Sequence, residues 1–342
     1  MKLIDKLYYH TLKPDLPRVI MIEPTNSCNL KCHMCDYQKQ FTGERSYLSL
    51  KEFELIIAQF PSVRELIFCG LGEPLLNKNI FEMISLAANK KINFINLITN
   101  GILLTEKCFT ALIKSGLTRI QISFHSTDSE IASKINGAPP GIHDVLRTNI
   151  LNALKIRNDA RPELYFVLNS VINNINYNDI FDLIDFCEVN KVDEISFVQL
   201  TTIFGKYDSF NIGENQAKIL VKEIRAKFKK SKLKISFLSG NETGRCYQLW
   251  NFLMIHADGN ISPCNGIMPQ ENKKIGNLIH ANIAKIWHSD KYVELRKSVI
   301  EKRLSNCKYC EVGYPMEGKN FKWFNNYYIK PALRSLYSYV RG

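Results

Sequence analysis

Cys28, Cys32 and Cys35 stand in the run Asn26-Ser27-Cys28-Asn29-Leu30-Lys31-Cys32-His33-Met34-Cys35. The spacing is C-x3-C-x2-C. Three thiolates hold three irons of a cubane [4Fe–4S] cluster, whereas a closed site uses four cysteines. The fourth iron then stays open to a non-protein ligand, and an open coordination position marks a reactive centre. A zinc knuckle is the competing reading; it needs a nearby fourth ligand, and His33 is at hand. A second set, Cys246, Cys264, Cys307 and Cys310, has spacings C-x17-C, C-x42-C and C-x2-C. Four thiolates close either an iron–sulfur cluster or a structural zinc site, and spacing does not separate the two.

The elements that must position these residues alternate. Strands are predicted at Val19–Glu23, Glu65–Cys69, Phe94–Thr99, Arg119–Phe124, Leu164–Asn169 and Glu194–Leu200. Helical patterns lie between them. Ser49-Leu50-Lys51-Glu52 has capping-box spacing, and Thr105 suits the N-cap of a helix ending at Gly116. Six βα-type units imply an α/β fold with a parallel sheet, although periodicity does not say whether it is open or curled. The cysteine loop follows the first strand. Gly70-Leu71-Gly72-Glu73-Pro74 follows the second, and its glycines allow backbone to approach a ligand closely. After residue 200 the pattern breaks. A basic helix (Glu214–Lys230) and a strand (Leu233–Leu238) bridge to a loop-rich segment, where Asp258-Gly259 reads as a hairpin turn.

The chain has 342 residues, 45% hydrophobic, with a formal net charge of +12. That length suits one large domain and a smaller one. No apolar run approaches the ~20 residues of a membrane span, and the start has no signal-peptide pattern. The expected location is the cytoplasm, where ten cysteines point to metal ligation and not to disulfides. The positive charge favours an anionic partner or is a solvated surface. Dispersed basic residues without a recognition motif argue against nucleic acid. The aromatic, basic tail from Lys322 to Tyr339 is compatible with peripheral membrane contact or with packing on the core.

The cysteine run, with the Gly70–Pro74 loop behind it, resembles the signature of the radical S-adenosylmethionine (radical SAM) superfamily. The loop resembles that family's "GGEP" motif, with Leu71 in place of the second glycine. The resemblance implies a partial (β/α)6 barrel with its site at the C-terminal strand ends. It also implies a SAM molecule chelated by the open iron, reductive cleavage, and hydrogen abstraction by a 5′-deoxyadenosyl radical. By resemblance Gly70, Gly72, Glu73 and Pro74 bind SAM, Glu73 accepting from its ammonium. Met34 packs near the adenine; Ser123 and Asn169 or Ser170 contact the ribose or carboxylate; Thr99 and Asn100 line the cavity. The four later cysteines resemble a SPASM/twitch extension. The full SPASM set has seven, and no cysteine follows Cys310. One fully ligated auxiliary cluster is therefore expected, giving two [4Fe–4S] clusters in all.

The expected organisation is an N-terminal extension (1–17), a core (18–205), a bridging helix and strand (206–240), an auxiliary cluster domain (241–315) and a tail (316–342). The expected reaction is oxidation of a small polar substrate such as a sugar or aminocyclitol. The core starts close to Met1, which disfavours a leader-binding domain ahead of it. A peptide maturase or epimerase is the alternative, and an electron-transfer or zinc protein is the non-enzyme rival. An external donor such as flavodoxin or ferredoxin would supply electrons. His125, ending strand four, is the candidate proton acceptor. Cys69, one residue before Gly70, is the candidate hydrogen-atom donor. Cys108 and Cys187, in predicted helices, read as structural thiols.

Overall fold

The computed structural model describes residues 11–35, 44–199, 210–238, 248–264 and 275–301. β1 (Val19–Ile22) runs into the cysteine loop and is followed by α1 (Leu50–Ala58), β2 (Glu65–Phe68), α2 (Ile80–Asn89) and β3 (Phe94–Thr99). Next come α3 (Glu106–Lys114), β4 (Arg119–Ser123), α4 (Ser129–Asn136), α5 (Pro140–Ala160), β5 (Tyr165–Ile172), α6 (Ile180–Val189) and β6 (Glu194–Gln199). α7 (Glu214–Lys227) and β7 (Lys234–Leu238) precede α8 (Gln248–Asn251), β8 (Phe252–Ile255), β9 (Ile261–Ser262), α9 (Ile283–Trp287) and α10 (Asp290–Ile300). The local signals hold. Ser49 Oγ accepts from the Glu52 N–H at 3.2 Å while the Glu52 carboxylate accepts from the Ser49 N–H at 2.9 Å, closing the capping box. Thr105 caps α3, and Gly137, at φ +64°, ends α4 in the left-handed region that glycine enters freely.

The nine strands among the described residues form one sheet in the order β7-β6-β5-β4-β3-β2-β1-β8-β9. Every pair is parallel except β8–β9. From β1 to β7 the order rises one strand at a time with no reversal. An open doubly wound sheet has a switch point where its helices change face. Here the buried helix residues, among them Phe53, Ile84, Phe109, Ile150 and Ile184, join one core with Ile20, Ile22, Leu66, Phe68, Leu97 and Ile122 on a single face. A singly wound sheet of this kind is barrel topology, left partial by its two edges, β7 and β9.

Two parts of the chain belong to the sheet more closely than expected. The basic helix and strand do not merely bridge. β7 pairs with β6 from Glu194↔Lys234 to Val198↔Leu238, and Leu220 and Ile224 of α7 enter the main core, making a seventh βα unit. The expected hairpin is present, with Gly259 at φ +78°, but β8 also lies parallel to β1 from Val19↔Phe252 to Ile22↔Ile255. The start of the auxiliary region therefore completes the sheet beside the strand that launches the cysteine loop. The backbone of residues 11–15 is held by the same region. Trp250 and Trp287 donate to the Thr11 and Asp15 carbonyls at 2.7 and 2.9 Å, and Arg296 donates to Leu12 at 2.9 Å. No helix among the described residues is long and apolar enough to cross a membrane.

Candidate active site

The face of the sheet opposite the helices carries the chemistry. Strand register places its side chains in layers. Arg119, Tyr165, Glu194 and Lys234 form a charged layer at the N-terminal strand ends. Glu194, nearly fully buried, accepts from Lys234 Nζ at 2.9 Å and Ser236 Oγ at 2.7 Å and pairs with Arg119 at 3.4 Å. Burial alone would raise its carboxyl; these donors and the Arg119 charge outweigh burial and hold it below the usual carboxylate range. Above lie the uncharged polar Gln121, Ser123, Asn169 and Ser196, with Val167, Val171 and Val198 interleaved on the same face. On the β1–β2–β8 side the same face is apolar: Val19, Ile67, Phe252 and Met254, flanked by Met21, Cys69 and Ile98.

Two loops meet at the C-terminal strand ends. The entry to the cysteine loop is stapled to residues 44–48: Thr25 Oγ1 donates to the Ser46 carbonyl at 2.7 Å, and Asn26 Oδ1 accepts from the Ser46 N–H at 2.8 Å. Gly72 packs on this entry. A Cβ there would collide with the Thr25 and Ser27 carbonyl oxygens, and the next N–H, of Glu73, donates to Ser27 at 2.7 Å. Only glycine permits that approach. Gly70 is confined equally by Glu23, whose Cβ and Oε1 would lie 2.6 Å from an added methyl.

The thiols of Cys28, Cys32 and Cys35 are half-buried. Burial, then the charges of the other two thiols, pushes Cys32 up to about 12, and burial raises Cys28 as well. A cationic group bound by these thiols would reverse the penalty on Cys28 and Cys32. Asn100 Nδ2 reaches Cys28 Sγ at 4.0 Å and donates to Asn29 Oδ1 at 2.7 Å, tying the loop to the end of β3. His33 Nδ1 bonds the Lys134 carbonyl at 2.7 Å, so this side chain is drawn toward α4.

Glu73 departs from expectation. Its side chain is 2% exposed and folds back on the chain. Oε1 accepts from Thr99 Oγ1 at 2.6 Å and the Leu75 N–H at 3.1 Å, and Oε2 accepts from the Asn100 N–H at 2.7 Å. Burial raises its carboxyl, and these three bonds oppose the rise. The carboxylate clasps the glycine loop to the end of β3, and Thr99 is spent on that clasp.

Sequence comparison decides what this arrangement serves. The Radical SAM superfamily profile matches residues 22–187, and that of the SPASM iron–sulfur cluster-binding domain matches residues 246–311. A probable GTP 3′,8-cyclase of Methanocaldococcus jannaschii is 27% identical over 260 residues, 72% of this chain and 84% of that protein. The GTP 3′,8-cyclase of Synechocystis sp. is 31% identical over 195 residues, 54% of this chain and 55% of that protein. SuiB of Streptococcus suis, solved bound to S-adenosylmethionine and also bound to precursor peptide SuiA, superposes with a TM-score of 0.70 at 20% identity, covering 87% of this chain. For the SAM-bound structure this is 73% of that chain. The chain belongs to the radical SAM superfamily.

It is an enzyme of that superfamily with a C-terminal SPASM-type iron–sulfur domain, and its cofactors are SAM, a [4Fe–4S] cluster and auxiliary iron–sulfur. The residues fit them. Three half-buried thiols on one loop, Cys28, Cys32 and Cys35, supply the donor set that a radical SAM cluster takes, and the glycine loop, packed against the cysteine loop's own backbone, suits a SAM molecule beside it. When bound, this pair supplies one-electron reductive cleavage of SAM. The other expected contacts divide. Ser123 and Asn169 stand side by side in register on the polar face, Asn169 donating to Gln121 Oε1 at 2.9 Å. Ser170 is fully buried and takes the opposite side of β5, beside Asn176 at 3.4 Å, so it is not the contact residue of that pair. Pro74 is buried at the first position of a short turn, and Met34 is half-buried.

His125 does not stand free at a cavity mouth. It is 6% exposed, and its Nδ1 accepts the Val171 N–H at 3.2 Å. Burial, then the nearby His143, lowers its pKa to about 4. Buried and with Nδ1 engaged, it is placed as a packing imidazole and lacks the free nitrogen that the proton-acceptor expectation needs. Cys69 is half-buried on the apolar side of the open face, and burial, then the charges of Glu23 and Glu73, pushes its thiol up to about 12. It stays protonated. Of the auxiliary set, Cys264 is buried just after β9, while Cys246, Cys307 and Cys310 lie outside the described residues, as does the aromatic tail. Cys187 is buried on α6, as a structural thiol should be, and Cys108 is half-buried on α3.

Sequence reasoning missed Glu23 and His256. Glu23 is 1% exposed at the end of β1 and meets both the glycine loop and the hairpin. A carboxylate ending an apolar strand was the available signal, but nothing local names its partner.

Proposed function

We propose that this radical SAM enzyme abstracts a hydrogen atom from a small, uncharged, hydroxyl- or amide-bearing substrate held on the open face of the sheet. The observation that supports this reading is the wall itself. Gln121, Ser123, Asn169 and Ser196 offer hydrogen-bond donors and acceptors opposite the apolar Met21, Ile67 and Met254. A ring with one polar edge and one apolar face fits such a wall. GTP, the compound in the relatives' names, would need cations, and among the described residues of this face Arg119 and Lys234 are paired with Glu194. The test incubates the anaerobic, reduced enzyme with SAM and separate panels of cyclitols and sugars, of GTP, and of peptides. 5′-Deoxyadenosine release stimulated by the first panel supports the reading. Stimulation by GTP or by peptides alone overturns it.

The fate of the substrate radical has a second observation behind it. Oxidation requires a proton acceptor, and His125 is a poor one, being buried with Nδ1 already accepting the Val171 N–H. Cys69 presents a protonated thiol one residue before the SAM loop. Its hydrogen atom would return to the substrate carbon from the opposite side, giving an epimer, and the sulfur radical would regain one electron and one proton from an external donor such as flavodoxin or ferredoxin and from solvent. A reducing compartment such as the cytoplasm keeps these thiols out of disulfides. Product of unchanged mass that gains deuterium from heavy water supports this course. Product lighter by two hydrogens, with Cys69→Ala fully active, establishes oxidation instead.

A further inference from the structure

The auxiliary region reaches the SAM loop through buried side chains. Glu23 Oε1 accepts from the Leu71 N–H at 2.6 Å, in the middle of Gly70-Leu71-Gly72. Glu23 Oε2 faces the hairpin, with the Ala257 N–H and His256 Nδ1 each at 3.3 Å. His256 Nε2 lies 2.8 Å from Ser262 Oγ, two residues before the auxiliary ligand Cys264. His256 is 4% exposed and Ser262 2%. The backbone runs in parallel, since the Glu23 N–H donates to Ile255 at 2.8 Å. A carboxylate only accepts, so His256 Nδ1 carries the proton toward Glu23, and in the neutral ring Nε2 accepts from the Ser262 hydroxyl.

We infer that His256 is a positioning residue for SAM: it orients Glu23, Glu23 holds the Leu71 N–H, and the auxiliary hairpin is thereby part of the SAM-binding site. A Cβ at residue 70 would collide with the Glu23 side chain, so glycine there is what lets Glu23 lie against the loop. Binding energy then couples both ways. The hairpin strengthens SAM binding, and SAM binding protects the hairpin by the same factor.

The experiment measures SAM affinity by anaerobic calorimetry on the reconstituted full chain, with iron content and the electron paramagnetic resonance change on SAM addition recorded alongside. His256→Ala should weaken SAM binding about tenfold, the loss of one hydrogen bond to a charged group. His256→Asn places an amide N–H near the Nδ1 position and should recover most of the affinity; His256→Gln reaches only toward Ser262 and should not. Glu23→Gln, which loses one acceptor while keeping shape, should match His256→Ala and carries the test if that variant fails to fold. Hydrogen exchange over residues 252–264 should slow when SAM is added to wild type and less so in Glu23→Gln. SAM affinity within twofold of wild type in both His256→Ala and Glu23→Gln overturns the inference. So does equal loss in His256→Asn and His256→Gln with reduced iron, which is the mark of a structural role alone. None of these readouts depends on the substrate, so the outcome is separate from the proposed reaction.

Discussion

At the scale of single residues, the site is built by side chains that hold backbone. Glu73 shows it best. A carboxylate buried with three donors is held by them, and removing it orphans Thr99 and the Asn100 N–H. Glu73→Ala should therefore weaken SAM binding and also lower stability by about 1–3 kcal/mol, read by urea unfolding beside calorimetry; unchanged stability would return Glu73 to a purely ligand-facing role. Gly72→Ala should disturb the cysteine loop, because the added methyl meets two fixed carbonyls; the check is iron retained after anaerobic reconstitution, expected to fall while the fold persists. His125 adds a pH dependence. Its folded pKa, about 4, lies below its ordinary value because of burial and then His143. Between the two values the unfolded chain binds a proton that the folded chain refuses. Stability is thus complete above the ordinary pKa and declines as pH falls toward 4, by of the order of 3 kcal/mol. His125→Asn, which still accepts from Val171, should flatten that decline in unfolding curves taken at pH 7 and pH 4.5.

At the scale of elements, the junction of β1, β8 and the C-terminal helices carries most of what was unexpected. Arg296 of α10 is fully buried, its guanidinium lying 4.5 and 4.6 Å from the Trp287 and Tyr292 rings. It donates to the carbonyls of Leu249, Leu12 and Trp287, which tie α8, the N-terminal segment and α9 together. Arg296→Ala leaves those carbonyls without donors and opens a cavity between the rings, so a loss of about 3–5 kcal/mol is expected. Differential scanning calorimetry checks it. Because β8 pairs with β1, unfolding should remain a single transition; a separate, earlier transition for the C-terminal region would show that the sheet pairing contributes little.

At the scale of the whole molecule, a radical SAM domain and a SPASM iron–sulfur domain share one chain. Anaerobic reconstitution should give about eight irons per chain, and joint replacement of Cys28, Cys32 and Cys35 by Ala should remove about half of them with all SAM cleavage; iron loss confined to a few per cent would sink that assignment. The chemistry of the cysteine loop was legible in the sequence because ligand spacing within one loop is a local property, and so were the glycine loop, the helix caps and the alternating strands and helices. The Ser49 box and the Thr105 cap need only three or four residues to declare themselves. What remained hidden depends on partners far apart in the chain. Whether the sheet curls followed from strand order, which periodicity does not contain. That β7 joins β6 and β8 joins β1 was decided by packing of edges, since each strand reads alike wherever it pairs. The roles of Glu73, His125 and Ser170 turned on which face each side chain took and which donors waited there. Glu23 and His256, 233 residues apart, meet only because the hairpin closes on the first strand: residue types and local spacing determined what chemistry this chain can do, and long-range burial and hydrogen bonding decided which residues were left to do it.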